Sequence, residues 1–282
     1  MKPGRIAVLI PLTVLAALIC SPILLLLAGS IMDGDEIYLH LEPVLMEYKR
    51  SYATWSLLPQ YPSLSPALEL LLDSPEFFHM FWNSVAITAG ILLGQLLIGA
   101  PAAWGFARYQ FPGRGAVFTL YIILMLMPFQ VTMLSSFLAL DRLGLIDTLW
   151  AVILPSVFST FPVFIMYRFF RAIPDAIMES AKLDARNAFQ IFWYIGLPLG
   201  SAGIVSALVL GFLESWNLIE QPMAFLKTKT LLPLSLYLPE IGLNNAGPAF
   251  AGCLLTLIPA LLVFLSGREH LEQGIVASAV KE

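Results

Sequence analysis

Six apolar stretches, roughly residues 6–30, 79–103, 115–138, 149–167, 201–219 and 249–266, decide what this chain can become. A spanning helix needs about 20 mostly apolar residues, because each residue rises about 1.5 Å through a hydrocarbon core about 30 Å thick. Inside that core no water pairs with a backbone N–H or C=O, so a spanning segment is either a helix or a strand of a closed barrel. Apolar runs of this length predict helices. Only 12% of the residues are charged and the mean hydropathy is +0.82, whereas an ordinary soluble domain carries about 25% charged residues. The fold class expected is an all-α membrane protein with six transmembrane helices.

Lys2 and Arg5 precede the first stretch as they would in a signal peptide. An h-region covers only about 7–15 residues, however, so this longer run reads as a retained helix. An even number of spans puts both termini on one side, and the bias of Lys and Arg in short loops decides which. With the termini cytoplasmic, Lys2, Arg5, Arg108, Arg114, Arg168, Arg171, Lys182, Arg186, Arg268 and Lys281 lie inside, against Lys49, Arg50, Arg142, Lys227 and Lys229 outside. The organisation expected is a first transmembrane helix over 1–30, an extracytoplasmic segment over 31–78, and a five-helix core over 79–282 with a cytoplasmic loop at 169–200. Prolines punctuate the 31–78 segment, which reads as short helices and turns or as a loop without regular structure. Tyr48, Tyr52, Trp55 and Tyr61 suit the headgroup level.

Pro128, Pro155, Pro162 and Pro259 fall within spans, where each removes a backbone donor and favours a kink. Gly90 and Gly94 form a Gly-x-x-x-Gly pair that lets another helix approach closely, within the chain or from a second subunit. Cys20 and Cys253 lie in apolar spans and read as small packing residues. His40, His79 and His270 are scattered, without the spacing of a metal site. No nucleophile is paired with a base, so no catalytic residue is expected. No G-x-x-x-x-G-K-[ST] phosphate loop is present either, so the chain itself is expected to bind no cofactor.

Residues 174–200 break the apolar pattern. Pro174 suits a first helical turn, with Asp175 and Glu179 at its positive end. Ile177, Ala181 and Asp184 share a face, and Glu179 and Lys182 are spaced to pair. Asn187 suits the N-cap of a second short helix, on which Phe189, Phe192 and Trp193 recur at helical spacing. Such a hairpin either lies on the bilayer or docks a partner.

Glu179, Ser180, Ala181, Asp184, Phe189, Leu197 and Pro198 fall in register with the "EAA" loop of ATP-binding-cassette import permeases, and the chain resembles that family. Over residues 79–282 it is similar to the carbohydrate-uptake branch of maltose and glycerol-phosphate type. The supporting strings are Asn83-Ser84, Ala107-Arg108-Tyr109, Asp147-Thr148-Leu149-Trp150 and Trp216-Asn217. The resemblance implies a type I importer permease in a bacterial or archaeal cytoplasmic membrane. Its loop, through Glu179, Ser180, Ala181, Asp184, Ala185, Arg186, Phe189 and Pro198, would couple to a separate ATPase that holds ATP and magnesium. Ala185 stands where the family has Gly, whose left-handed turn costs an alanine about 1–2 kcal/mol, so a more helical corner is expected. Arg186 puts a cation where the family has a small residue.

Glu214 is an intramembrane carboxylate, a functional candidate by default. On a continuous helix Gly211, Glu214, Asn217 and Gln221 share one face, which either lines a solute path or joins two subunits. Trp216 faces away from it, toward the bundle. The outer loop at 226–248 carries Tyr237, Pro239, Asn244 and Asn245. In the resembled family a loop at this place contacts a binding protein; otherwise it caps the bundle. The function implied is the permease subunit of an ATP-driven importer of a sugar or sugar-phosphate-like solute. Its implied partners are a second homologous permease subunit, two ATPase subunits, an extracytoplasmic solute-binding protein and lipid, with no nucleic acid. The rival reading is an ATP-independent carrier with Glu214 as proton relay.

Overall fold

The computed structural model describes residues 3–45, 52, 56, 58–185, 187–237 and 246–279. The chain begins with α1 (Pro3–Ser30), α2 (Gly34–Leu45) and α3 (Ser65–Asp73). Next come α4 (Pro75–Gly94), a π-helical turn at Gln95–Gly99 and α5 (Ala100–Arg108), which together make one long rod. After these follow α6 (Arg114–Met125), α7 (Phe129–Arg142), α8 (Leu149–Val157) and α9 (Thr160–Ala172). The inner hairpin consists of α10 (Asp175–Asp184), α11 (Ala188–Ile191), a π turn at Phe192–Gly196 and α12 (Leu197–Leu199). Last are α13 (Ser201–Trp216), α14 (Glu220–Phe225) and α15 (Ala246–Ala279).

Among the described residues, Leu9–Ser30, Pro75–Arg108, Leu149–Ala172 and Ala246–His270 are each long and apolar enough to cross a membrane. Two bent pairs raise the possible number to 6: Arg114–Met125 with Phe129–Arg142 at 104°, and Ala188–Leu199 with Ser201–Trp216 at 71°. The span expected over 115–138 is thus broken sharply at Pro128, one of the expected kink positions. Pro128 has no N–H to donate to Leu124 and takes an extended conformation (φ −67°, ψ 147°) as the cap of α7.

The chain divides into two compact units. The first comprises Met1–Phe78 and Tyr237–Pro259, so residues 237–259 group with the 31–78 segment and not with the core expected over 79–282. Along most of its length α1 exposes apolar side chains, a surface suited to lipid. At its end Ala28 joins Met32, Ile37 and Ala246 in a small core. The segment after α1 is ordered by Glu36, which is buried and accepts from the backbone N–H groups of Gln60 (2.9 Å) and Tyr61 (3.1 Å). The Tyr52 and Tyr61 rings are exposed, while Tyr48 and Trp55 lie outside the described residues. Cys20 and Cys253 are also exposed, not packed inside; helices with no outer protein layer leave such positions facing lipid.

The second unit comprises His79–Leu236 and Ala260–Glu282. Its core joins α5, α9 and α13 through Ala103, Trp104, Met166, Phe170, Phe192, Ile204 and Ala207. Gly90 and Gly94 face α8 of the same chain: a Cβ at Gly94 would lie 2.3 Å from Val157 Cγ2, so only glycine permits this approach. Trp216 is buried, stacked on Phe212 and edge-on to Phe81.

The segment after α14 is tied down by residues distant in sequence. Asn83 donates to the carbonyls of Thr230 (2.7 Å) and Leu232 (3.1 Å), and Ser84 Oγ accepts from Leu234 N–H. Asp147, with a left-handed φ of 61°, accepts from the Lys227 and Thr228 N–H groups (2.7 and 2.8 Å) and from Thr228 Oγ1 (2.6 Å). The Thr228 hydroxyl, followed by the two amides, holds the Asp147 carboxyl below the usual aspartate range. A lowered carboxyl pKa means that the tie is complete above the usual aspartate value and is lost as pH falls through the lowered one. Asp147→Ala is expected to speed tryptic cleavage after Lys227 severalfold at pH 8. In the wild-type protein, hydrogen exchange at Lys227 and Thr228, corrected for intrinsic rates, is expected to lose its protection only below about pH 4.

Candidate functional site

The inner hairpin is built as its sequence dictates at one end and differently at the other. Asn187 caps α11, its side-chain oxygen accepting from Gln190 N–H at 2.8 Å. Ala185, which ends α10, is extended (φ −86°, ψ 134°), so the corner is neither left-handed nor more helical and alanine meets no steric penalty. Glu179 and Lys182 are exposed and form no ion pair with each other. Phe189 and Trp193 stack in the open with ring centroids 5.9 Å apart, whereas Phe192 turns inward against Trp104 and Phe170. The π turn that starts at Phe192 separates the two directions.

Between α10 and the second arm runs a groove of about 630 Å³, walled by Ile177, Ser180, Ala181, Asp184, Ala185, Ile191, Tyr194 and Ile195. Leu183 (88% exposed), Phe189 and Tyr194 present apolar surface beside it. Pro198 is exposed in α12, and Arg186 lies outside the described residues. The base of the hairpin is clasped by Arg108 at the end of α5. The Arg108 side chain is only 7% exposed; it pairs with Asp175 at 2.9 Å and donates to the carbonyls of Phe170 (2.6 Å) and Ile173. A guanidinium at these carbonyls completes the end of α9 and neutralises its negative pole. Sequence reading placed Arg108 in a resemblance string and gave it no role.

Deeper in the same unit a cavity of about 430 Å³ opens among α7, α8, α13 and the first π turn. Every interruption of the helices around it lies in its wall. Met125 and Met127 come from the α6–α7 bend, Phe158 and Ser159 from the gap between α8 and α9, Leu218 from the gap between α13 and α14, and Gln95 from the π turn. Gly211, Glu214 and Gln221 line it; Asn217 does not. The continuous face expected over 211–221 is broken, because α13 stops at Trp216 and Asn217 Nδ2 donates back to the Leu213 carbonyl at 2.8 Å. Pro222, lacking an N–H, prevents an unbroken helix from running through. Gln221 nevertheless reaches the cavity from α14, where its Oε1 accepts from Ser156 Oγ at 2.8 Å.

Gln95, which the sequence reading passed over, is buried in this wall. Its Nε2 donates to the Ser156 carbonyl at 3.0 Å, and its Oε1 has no partner. A lone glutamine inside an apolar run was the available signal. Toward the outer loop, the Tyr237 ring is half-buried, edge-on to Phe77 at 5.7 Å, which holds it within its own unit. Pro239, Asn244 and Asn245 lie outside the described residues.

Residues 86–276 match the family model described as "Binding-protein-dependent transport system inner membrane component". The chain is 27% identical over 281 residues to the arabinooligosaccharides transport system permease protein AraQ of Bacillus subtilis (strain 168), covering 98% of this chain and 96% of that one. It is 31% identical over 207 residues to the lactose transport system permease protein LacG of Rhizobium radiobacter, covering 71% and 74%. It also superposes on a chain of a bacterial ABC transporter crystal structure involved in import of the acidic polysaccharide alginate, with a TM-score of 0.77, 20% identity and coverage of 95% and 98%. That likeness shows a shared fold.

Removing the Arg108 clasp is expected to leave the Ile173 carbonyl without its donor and the Phe170 carbonyl with only the long bond from the Ile173 N–H (3.4 Å). Arg108→Ala should lower the stability of the detergent-solubilised protein by about 2 kcal/mol. Asp175→Asn, which alters only the exposed partner, should cost no more than about 1 kcal/mol. Thermal unfolding of the two variants side by side checks the order.

Proposed function

Because the chain belongs to the family of binding-protein-dependent transport system inner membrane components, we propose that it is one half of a heterodimeric pore that imports a sugar or sugar-phosphate-like solute. A second homologous permease subunit completes the pore. Two ATPase subunits, holding ATP and magnesium, drive it from the cytoplasm, and an extracytoplasmic binding protein delivers the solute. The chain itself hydrolyses nothing and holds no cofactor.

The observation that carries this reading is the convergence of the helix interruptions on one polar cavity. Irregular backbone at membrane depth is tolerated where it lines a cavity, and broken helices in transporters surround their solutes. The exposed hairpin supplies the drive: its groove and the Phe189–Trp193 stack offer an ATPase a docking surface. The Arg108 clasp ties the hairpin's base to α5 and α9, the helices of the densest core. Movement of the hairpin is thereby passed to the helices beside the cavity, which alternates between its two openings as the ATPase dimer closes and reopens. In this arrangement both termini and the hairpin are cytoplasmic.

Two measurements test the proposal. Glu179→Lys should leave the protein in the membrane, reduce copurification of the ATPase severalfold and abolish uptake; unchanged recovery with normal uptake would reject docking through this hairpin. For orientation, a cysteine at Ser63 should react with an impermeant thiol reagent applied to intact cells, and one at Gln110 should not, in a background lacking Cys20 and Cys253. Labelling at Gln110 in sealed cells would reverse the topology.

A further inference from the structure

The cavity is unequal in its hydrogen-bonding and charge character. Among the residues lining it the single ionisable group is Glu214, and no Lys, Arg or His faces it. The Glu214 carboxyl has no hydrogen-bond or ion-pair partner among the described residues. Gln95 is turned the same way chemically: its donor is used on the Ser156 carbonyl, which leaves the acceptor Oε1 unpaired although the residue is only 4% exposed. A Cβ at Gly211 would lie 2.9 Å from that oxygen, so glycine keeps the approach to it open. Gln221 also presents an acceptor, already engaged by Ser156 Oγ.

A buried amide oxygen without a partner is costly unless a donor arrives to satisfy it. Sugar hydroxyls are such donors. A sugar phosphate or uronate carries hydroxyls as well, but adds an anionic group that brings only acceptors and meets the Glu214 carboxyl with no cation in this wall to offset it. We infer that the Gln95–Gly211–Glu214 wall of this cavity selects a neutral, hydroxyl-rich solute and rejects anionic ones such as sugar phosphates and uronates. The inference rests on the reading of the cavity as the solute path and narrows the solute class within it.

The wall's charge can be measured without knowing the solute. In the reconstituted complex with Cys20→Ser and Cys253→Ser, a cysteine is introduced at Ser136, with Thr132→Cys as a second position on the same wall. Its rates with a cationic (trimethylammonium-ethyl) and an anionic (sulfonatoethyl) methanethiosulfonate are each normalised to a free thiol. The cationic reagent is expected to react at least about tenfold faster, since a carboxylate lining the same cavity with no cation in the wall beside it favours approach of the cation and disfavours the anion by about that much. Glu214→Gln should bring the ratio close to one, and a neutral arabinooligosaccharide should slow labelling where sn-glycerol 3-phosphate does not. Equal or faster reaction of the anionic reagent, or protection by glycerol phosphate, would overturn the charge selection while leaving the path in place. If both cysteines stay unreactive throughout the ATP cycle while transport proceeds, the cavity is not the path and the inference falls with it.

Discussion

The absence of water in the bilayer core governs this structure. Each backbone N–H and C=O at that depth needs a partner inside the protein, so a helix is the default and every departure from one must be satisfied by some other group. The chain departs at Pro128, at Phe158–Ser159, at Asn217 and at the Gln95–Gly99 π turn, and residues at or beside each departure line a single cavity. Side chains help satisfy the backbone near these breaks: Asn217 donates to the Leu213 carbonyl four residues back, and Gln95 to the Ser156 carbonyl of another helix. The cavity and the broken helices are thus one feature seen from two sides.

The hairpin obeys a different rule because its sequence breaks the apolar pattern with charged residues. Its exposed Leu183, Phe189 and Trp193 form apolar surface on an element that also carries exposed Glu179 and Lys182. Arg108 joins these two environments. Its guanidinium is buried against carbonyls at the end of α9, while its ion-pair partner Asp175 sits 85% exposed at the start of α10. One side chain therefore links the aromatic core around Trp104 and Phe170 to the start of the hairpin.

Much of the local architecture was legible in the residues. The apolar runs located the spans, Asn187 announced a helix cap, and Gly90 and Gly94 announced a close helix contact. Trp216 was placed on the packed side by its angular distance from Glu214. The errors have a common source, the assumption that helical periodicity continues unbroken. It put Asn217 on the cavity face and grouped Phe192 with Phe189 and Trp193. At Ala185 the departure from the family's glycine suggested strain, yet an extended conformation open to any residue made the turn.

The sequence by itself determined that this chain is a bundle of membrane helices with a polar hairpin between its fourth and fifth apolar stretches, because apolar length and capping chemistry are local properties. It also named Glu214, since an ionisable side chain within an apolar run is conspicuous wherever it points, and Gln221 by its helical spacing from it. Only the tertiary structure decided that Gln95, Gly211, Ser156 and Gln221, from separate helices, meet at one wall, and that Asp147 and Asn83 hold a segment 80 or more positions away. Those contacts depend on how helices cross and where they break. Both are set by side-chain packing between segments distant in the chain, on which periodicity within any one segment is silent.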